Sequence, residues 1–219
     1  MSSTRTIVFD LDGTLVDSVP DIAAAVNRML AARELAPLAE PEVAAMVGDG
    51  LQPLIDRVFA ARASTPDAAA AGEYLADYEA NVLVETRLFP GMTGALDRLS
   101  AEGWRLAVCT NKPERAARLL LDALGIADRF AAIGGGDSFP KHKPDPAHFL
   151  GTVALAGGDP ARAVMVGDHR NDVLTATGGG AQAIFAGWGY GRPGMEAGAA
   201  AVAPDAAALP GIAAELLHA

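Results

Sequence analysis

The distribution of hydrophobic and polar residues divides the chain into two kinds of structure. The apolar run Ile7-Val8-Phe9 is typical of a buried strand, and it leads directly into two aspartates, Asp10 and Asp12. From residue 16 to about residue 86, apolar residues recur at helical spacing and no convincing strand run interrupts them. Breaks at Pro37, Pro41, residues 48–50 and residues 64–67 separate this stretch into about four helices.

Beyond residue 86, short β-branched runs alternate with helical patterns, which predicts right-handed βαβ units and a parallel sheet. We expect strands at 105–110, 130–133, 163–167 and 183–186, and helices at 93–102, 113–124, 147–156, 171–177 and 209–217. The predicted fold class is α/β, a doubly wound, mostly parallel, Rossmann-like sheet with an inserted all-helical cap domain. Residues 1–15 and 87–219 form the α/β core in this division, residues 16–86 form the cap domain, and the linkers near 16–17 and 85–88 are the expected hinges.

Composition narrows the classes of partner and compartment. The formal net charge of −10 argues against nucleic acid as a partner, and any anionic ligand must be attracted locally by a metal, a lysine or helix N-termini. No apolar stretch approaches the roughly 20 residues that span a bilayer, so we expect no membrane association. The first strand begins too early for a signal peptide to precede it, and Cys109 is the single cysteine, which together favour a cytoplasmic location.

Polar residues that can carry chemistry follow the predicted strands. The carboxyl ends of parallel strands share one edge of a sheet, so these residues are expected to meet in one crevice. Carboxylates brought together in this way repel one another unless a cation lies between them or they have different roles. The residues concerned are Asp10 and Asp12, Thr110-Asn111-Lys112, Lys143 before Pro144, and Asp168 with Asp172.

Residues 10–14, DLDGT, resemble the DxDGT signature of the haloacid dehalogenase-like (HAD) superfamily, whose members are mostly phosphohydrolases. All four motifs of that superfamily match here in order: Asp10 and Asp12 in the first, Thr110 in the second, Lys143 in the third, and Asp168 with Asp172 in the fourth. The resemblance implies that Asp10 attacks phosphorus to form an aspartyl-phosphate, while Asp12 acts as general acid and then as general base. Lys143 is then expected to offset the negative charge of the nucleophile and the phosphoryl group.

The same resemblance implies a cofactor and a set of binding residues. Mg²⁺ prefers hard oxygen ligands, which Asp10, Asp168 and the backbone carbonyl of Asp12 provide, with Asp172 supporting the metal or its waters. The residues implied to bind the phosphate and the rest of the substrate are Leu11, Gly13, Thr110 and Asn111 in the core and Gly48, Asp49 and Gly50 in the cap.

Residues 17–22, 47–51 and 134–138 resemble the bacterial phosphoglycolate phosphatase group within the superfamily. This implies hydrolysis of a small phosphorylated metabolite, 2-phosphoglycolate, to glycolate and phosphate. The alternatives are a broad-specificity phosphatase for sugar phosphates or nucleotides, a pyrophosphatase, or a non-catalytic module that binds phosphorylated ligands. The oligomeric state stays open between monomer and homodimer.

Residues that the sequence lacks disfavour other activities of the superfamily. No lysine or histidine lies between residues 16 and 86, which disfavours a phosphonatase with a Schiff-base lysine and a phosphomutase with a cap histidine. Asp12 argues against a dehalogenase, because the dehalogenases lack this second aspartate. Residues 188–191 (WGYG) also resemble a loop of the phosphoglycolate phosphatase group, and a simple turn with packed aromatic rings is an equal interpretation.

Overall fold

The computed structural model describes residues 4–218, so residues 1–3 and 219 of the predicted α/β core lie outside the described part of the chain. The strands in chain order are β1 (Thr6–Phe9), β2 (Val16–Asp17), β3 (Arg87–Leu88), β4 (Arg105–Cys109), β5 (Ala132–Gly134), β6 (Ala163–Gly167), β7 (Gln182–Ala186) and β8 (Ala201–Ala203). The helices are α1 (Val19–Ala31), α2 (Glu40–Ala44), α3 (Leu51–Ala60), α4 (Ala70–Ala80), α5 (Met92–Ala101), α6 (Glu114–Ala123), α7 (Pro146–Leu155), α8 (Arg170–Gly178) and α9 (Leu209–His218).

Six strands form one parallel sheet in the order β5-β4-β1-β6-β7-β8. The first strand, β1, lies at the centre, with Ile7 beside Leu106 of β4 and Val164 of β6. Successive side chains of a strand point to opposite faces, so Ile7 and Phe9 enter one hydrophobic core and Val8 enters the other.

Helices cover both faces of this sheet. Side chains of α5, α6 and α9 pack into the core that contains Ile7, and side chains of α7 and α8 pack into the core that contains Val8. Crossover helices pack back onto a parallel sheet in this way, which buries the strands on both faces. The predicted fold class, a doubly wound and mostly parallel sheet, is confirmed.

Helices α1 to α4, here called the helical segment, pack mainly on one another. Their apolar side chains, among them Ile22, Ile55, Val58 and Tyr78, form a third core, which Ala116 of α6 joins from the α/β part. The helical spacing of these residues on the sequence reflects that core, because each helix buries one face against its neighbours. The number of helices expected in residues 16–86 matches the structure.

The entry and the exit of the helical segment lie side by side. Strands β2 and β3 pair in antiparallel fashion, with Val16 opposite Leu88 and Asp17 opposite Arg87. The expectation of no strand between residues 16 and 86 is therefore wrong at residues 16–17, because two residues are too few to produce a recognisable alternating pattern. This pair, β2 and β3, is called the linker ribbon below.

A buried carboxylate in the first turn of α1 reinforces the linker ribbon. Asp21 accepts hydrogen bonds from the backbone N–H groups of Val84 (3.0 Å), Glu85 (2.9 Å) and Thr86 (2.9 Å), and from the Thr86 hydroxyl at 2.7 Å. Burial acts to raise the pKa of Asp21, but these hydrogen bonds outweigh it and lower the pKa. The two crossings between the sheet and the helical segment are therefore tied to each other.

Two details of the sheet differ from the expectation. Strand β8 is not predicted by the pattern, because it has three residues, two of them alanines, and its Val202 is 53% exposed at the sheet edge. Strand β5 begins two residues later than expected, because a 3₁₀ turn at Ala127–Arg129 occupies the approach to it. Within residues 4–218, no helix combines the length and the apolar character that crossing a bilayer requires.

Candidate active site

The first strand ends in a tight turn that presents its aspartates at the sheet edge. The Asp10 N–H donates to the carbonyl of Val166 at 2.8 Å, which continues the β1–β6 pairing by one residue and holds Asp10 in line with the strand. Gly13 follows with a φ of +83°, a conformation that favours glycine. A Cβ atom on Gly13 would overlap the carboxylate of Asp168 and lie 2.7 Å from the Tyr190 ring. The turn therefore requires glycine for both its backbone angle and the space.

Three buried carboxylates converge beside this turn. Asp10 follows β1, Asp168 follows β6, and Asp172 lies in the first turn of α8, and each offers an oxygen within 4.8 Å of the others. The Asp172 carboxylate also accepts the His169 N–H at 3.0 Å, which caps the start of α8 and fixes the orientation of the side chain. The three residues form the acidic cluster.

One lysine lies inside the acidic cluster. Lys143 Nζ is 2.9 Å from Asp10 Oδ1 and 2.6 Å from Asp172 Oδ1, and its side chain is 1% exposed. Its backbone is held as well, because its N–H donates to His148 Nδ1 at 3.2 Å and its carbonyl accepts from Asn111 Nδ2 at 2.9 Å. Burial opposes the charge of Lys143, yet the two carboxylates outweigh burial and raise its pKa, so it is a cation.

The charges of the acidic cluster do not balance without a further cation. Three carboxylates face one ammonium group in a buried site, and burial together with the charges of Asp10 and Asp172 raises the pKa of Asp168 to about 8. Burial also raises the pKa of Asp172 in spite of Lys143. A divalent cation supplies the missing positive charge, and carboxylate oxygens are ligands that hard divalent cations accept. The residues present therefore fit a divalent metal.

The second aspartate of the first motif lies in a different environment. Asp12 Oδ1 accepts from the Ser18 hydroxyl at 2.6 Å, and Lys112 Nζ lies 2.9 Å and 3.1 Å from its two oxygens. The Asp12 side chain does not belong to the acidic cluster. Metal binding by the Asp12 backbone carbonyl therefore stays a prediction. The structure thus separates the two aspartates, with Asp10 beside Lys143 and Asp12 beside Lys112.

Lys112 belongs to the site, although its sequence position alone predicted no role for it. It follows the Thr110-Asn111 pair directly, and its side chain is 7% exposed with Nζ 4.3 Å from the centre of the Tyr78 ring. Burial opposes its charge, but Asp12 and then Tyr78 raise its pKa. Its position at a strand end was the available signal, but the direction of a long side chain is not readable from sequence.

Thr110 and Asn111 follow β4, and Asn111 connects this strand end to the helical segment. Thr110 is buried, and its hydroxyl accepts the Lys112 N–H at 3.2 Å. Asn111 Nδ2 donates to the carbonyl of Gly48 at 3.0 Å, while its Oδ1 has no hydrogen-bond partner among the described residues. A Cβ on Gly50 would lie 3.2 Å from the Asn111 carbonyl, so the 48–50 turn passes close to the sheet edge.

Several residues expected to bind substrate are engaged elsewhere. The Asp49 carboxylate pairs with Arg57 and accepts from Asn171 Nδ2 at 2.6 Å, so protein side chains already occupy it. The N–H groups of Leu11 and Gly13 donate to Asp10 Oδ1 (2.7 Å) and to the Val16 carbonyl (2.9 Å). In this conformation neither of these two N–H groups is free for a phosphate oxygen.

The loop at residues 188–191 belongs to the site. The Tyr190 N–H donates to Asp168 Oδ2 at 2.8 Å, and the Tyr190 hydroxyl donates to Asp17 Oδ1 at 2.8 Å and accepts the Ser18 N–H at 2.8 Å. Trp188 Nε1 donates to the Thr14 carbonyl at 3.0 Å. The interpretation as a simple turn is incomplete, since the loop touches both the acidic cluster and the linker ribbon.

A cavity lies between the sheet edge and the helical segment, and we call it the interlayer cavity. Polar atoms of Asp10, Asp12 and Lys112 line its floor, and mostly apolar side chains of the helical segment line its other walls. The lining residues are Asp10, Asp12, Ile22, Val47, Gly48, Gly50, Leu51, Leu54, Tyr74, Leu75, Tyr78, Thr110, Asn111, Lys112, Pro113 and Ala116. The geometry can therefore hold a small polar ligand at the acidic floor under an apolar roof.

Comparison with known proteins agrees with this arrangement. The sequence model of the haloacid dehalogenase-like hydrolase family matches residues 4–180, and the chain belongs to this family. A phosphoglycolate phosphatase of Cereibacter sphaeroides is 45% identical over 178 residues, covering 80% of this chain and 81% of that protein. A phosphoglycolate phosphatase of Rhodospirillum rubrum is 42% identical over 214 residues, covering 94% of this chain and 89% of that protein.

Solved structures show the same fold. A predicted phosphoglycolate phosphatase from Haemophilus somnus 129pt superposes with a TM-score of 0.89 at 31% identity, covering 97% of this chain and 99% of that chain. CbbY from Rhodobacter sphaeroides, in complex with phosphate, superposes with a TM-score of 0.78 at 26% identity, covering 94% of this chain and 96% of that chain. The predicted family is therefore confirmed.

Proposed function

We propose that this protein is a Mg²⁺-dependent phosphatase that hydrolyses 2-phosphoglycolate to glycolate and phosphate. The observation that carries the proposal is the convergence of Asp10, Asp168, Asp172 and Lys143 at one sheet edge, with Asp12 on the cavity side. Relatives that bear the name phosphoglycolate phosphatase at 42–45% identity support the choice of substrate. The buried, unpaired Cys109 supports a reducing, cytoplasmic location.

The first half of the reaction uses both aspartates of the first motif. Asp10 attacks phosphorus, the phosphorus–oxygen bond of the ester breaks, and an aspartyl-phosphate forms on Asp10. Asp12 donates a proton to the departing glycolate oxygen. The roles differ because the surroundings differ: Lys143 Nζ lies 2.9 Å from Asp10 Oδ1 and offsets negative charge at the nucleophile, whereas Asp12 lines the cavity where the leaving group lies.

The second half releases phosphate and restores the enzyme. Asp12, now ionised, removes a proton from a water molecule, which attacks phosphorus and breaks the bond to Asp10. Lys143 and the buried Thr110 then contribute positive charge and a hydroxyl beside the phosphoryl oxygens, as preorganised groups do in phosphoryl transfer. The apolar roof of the interlayer cavity excludes other water molecules from the aspartyl-phosphate.

The acidic cluster is the proposed Mg²⁺ site, with Asp10 and Asp168 as direct ligands and Asp172 in support. When bound, the metal neutralises negative charge at the phosphoryl group and the nucleophile. Thr14 Oγ1, which donates to Asp168 Oδ1 at 2.8 Å, and the Tyr190 N–H orient the Asp168 carboxylate. These contacts fix the carboxylate before the metal arrives.

We also propose that residues 16–86 act as a cap domain on the α/β core of residues 1–15 and 87–219. The separate core of the helical segment and the linker ribbon support this division. Gly48 and Gly50 line the interlayer cavity, so the 48–50 turn is one of the parts of the cap that face the ligand. Opening and closing about the linker ribbon then controls access of substrate and water.

A panel of phosphate esters tests the proposed activity. Phosphate release is measured with 2-phosphoglycolate, sugar phosphates, nucleoside monophosphates and pyrophosphate in Mg²⁺. We expect 2-phosphoglycolate to have the highest kcat/KM. A flat profile indicates a broad-specificity phosphatase, preference for pyrophosphate indicates a pyrophosphatase, and no turnover of any ester indicates a binding module.

Two variants test the mechanism on the same substrates. Asp10→Asn removes the nucleophile and is expected to abolish turnover, whereas Asp122→Asn, a substitution at an exposed residue of α6, is the matched control. Excess chelator is expected to stop turnover of the wild type, because unneutralised carboxylates repel phosphate. Turnover that survives in Asp10→Asn contradicts the covalent mechanism.

A further inference from the structure

The floor of the interlayer cavity contains a cation that the proposed mechanism does not use. Lys112 is the only positively charged residue among the described residues that line this cavity. Its ammonium group has three N–H donors, and it contacts the two oxygens of Asp12 and the face of the Tyr78 ring. A buried lysine in a substrate cavity is costly unless it has negatively charged partners.

Tyr78 supplies a second group that lacks a partner. Its side chain is 1% exposed and lines the interlayer cavity, yet its hydroxyl proton has no acceptor among the described residues. Burial raises the pKa of Tyr78, so the hydroxyl keeps its proton and can donate it in a hydrogen bond. A buried donor without a partner costs free energy, which a ligand that accepts from it recovers.

The position of Lys112 beside Asp12 places Lys112 and Tyr78 near the ester oxygen of the substrate. Asp12 must reach the ester oxygen to protonate the leaving group, and Lys112 Nζ lies within 3.1 Å of both Asp12 oxygens. A group bound to Lys112 is therefore close to the ester oxygen. A short leaving group with its anionic group one carbon away from that oxygen can satisfy both contacts.

We propose that Lys112 and Tyr78 form the receptor for a carboxylate on the leaving group, and that Lys112 is the specificity-determining residue of the site. The inference rests on the proposed function and deepens it, because it gives a physical reason for the enzyme to prefer a short phosphate ester that carries a carboxylate. Lys112 comes from the loop after β4 and Tyr78 from α4, so the carboxylate contacts both the sheet edge and the helical segment. The apolar roof, with Leu51 and Leu54, offers no group of this kind.

The test compares 2-phosphoglycolate with 2-phosphoglycolamide, its isosteric neutral amide, and measures kcat/KM for each in Mg²⁺. In the wild type we expect a large ratio of acid to amide. Lys112→Met is expected to lower this ratio by about 10- to 100-fold, the loss of one buried hydrogen bond to a charged group. Tyr78→Phe is expected to lower it by about 2- to 10-fold, and Lys141→Met, which removes an exposed lysine, is expected to leave it unchanged.

The outcomes separate this inference from the proposed function. Equal losses on acid and amide in Lys112→Met mean that Lys112 only positions Asp12, which overturns the inference and leaves the phosphatase intact. A wild type that turns over neither compound nor any other phosphate ester overturns the proposed function instead. Circular dichroism verifies folding, and if Lys112→Met does not fold, Tyr78→Phe decides, since an unchanged ratio there overturns the receptor.

Discussion

Acidification is expected to destabilise the protein through one buried imidazole. His148 is fully buried in α7, its Nδ1 accepts the Lys143 N–H at 3.2 Å, and its ring packs against Phe139 at 5.6 Å. Burial and the charge of Lys143 lower the pKa of His148 to about 4, against a value of 6.5 for an ordinary histidine. The folded protein therefore holds a neutral imidazole where the unfolded chain binds a proton.

The magnitude follows from that difference in pKa. Well above pH 6.5 the imidazole is neutral in both the folded and the unfolded protein, so the full free energy of unfolding is present. As the pH falls from 6.5 toward 4, the free energy of unfolding decreases, because only the unfolded chain gains the proton. Between about pH 7.5 and pH 5 the loss amounts to about 2 kcal/mol. This is a large share of the stability of a typical domain.

Urea unfolding in a chelator, followed by circular dichroism at both pH values, measures this loss. His148→Gln keeps a neutral side chain that can accept the Lys143 N–H, but it loses the packing of the ring against Phe139, so the variant is less stable at neutral pH. Its unfolding free energy then lacks the imidazole contribution to the pH dependence. The difference between wild type and variant isolates the imidazole, because the other titrating groups are common to both. Parallel pH dependences in the two proteins would refute the reasoning.

Three further predictions concern the turn, the metal and the linkers. Gly13→Ala places a methyl group against the Asp168 carboxylate and is expected to abolish phosphatase activity. Gly211→Ala, whose Cβ meets nothing within 4 Å, is expected to leave that activity unchanged. A fully active Gly13→Ala variant contradicts the predicted overlap with Asp168. Mg²⁺ at about 100 times its Kd is expected to stabilise the wild type by about 2.7 kcal/mol in thermal unfolding. The same concentration is expected to stabilise Asp168→Asn far less. Equal stabilisation of the two proteins contradicts the acidic cluster as the metal site. Asp21→Ala leaves the donors of residues 84–86 without their acceptor and is expected to lower the free energy of unfolding in urea by about 1–3 kcal/mol. An unchanged urea midpoint contradicts the role of Asp21 in holding the two linkers together.

The sequence pattern predicted the sheet and the residues at its edge because both follow from strong local signals. Asp10 and Asp168 directly follow β1 and β6, so the shared edge of a parallel sheet brings them together with no further information. Lys143 lies in the loop between β5 and α7, and its place in the site was implied by the motif resemblance. The resemblance of the four motifs to the HAD superfamily predicts the family, which the comparisons confirm. Roles of individual residues in the reaction remain predictions that the variants above test.

The features that the sequence did not predict depend on long-range packing. Lys112 acquires its place through contacts with Asp12, a hundred residues earlier in the chain, and with Tyr78 of the helical segment. Asp49 lies in a glycine-rich turn that reaches the cavity, but its own carboxylate turns toward Arg57. The direction of a side chain within a correctly predicted turn depends on partners that no local pattern contains.

The central position of β1 in the sheet has a consequence for how the chain folds. Both of its neighbours, β4 and β6, come after the whole helical segment, so Ile7-Val8-Phe9 has no strand to pair with until much later in synthesis. The helical segment forms its core largely from residues within residues 22–78, and such local contacts form fast. Its completed fold pairs Val16 with Leu88 and so brings the distant parts of the sheet together, which reduces the entropy cost of closing the intervening loop. We therefore expect the helical segment also to help assemble the sheet that holds Asp10.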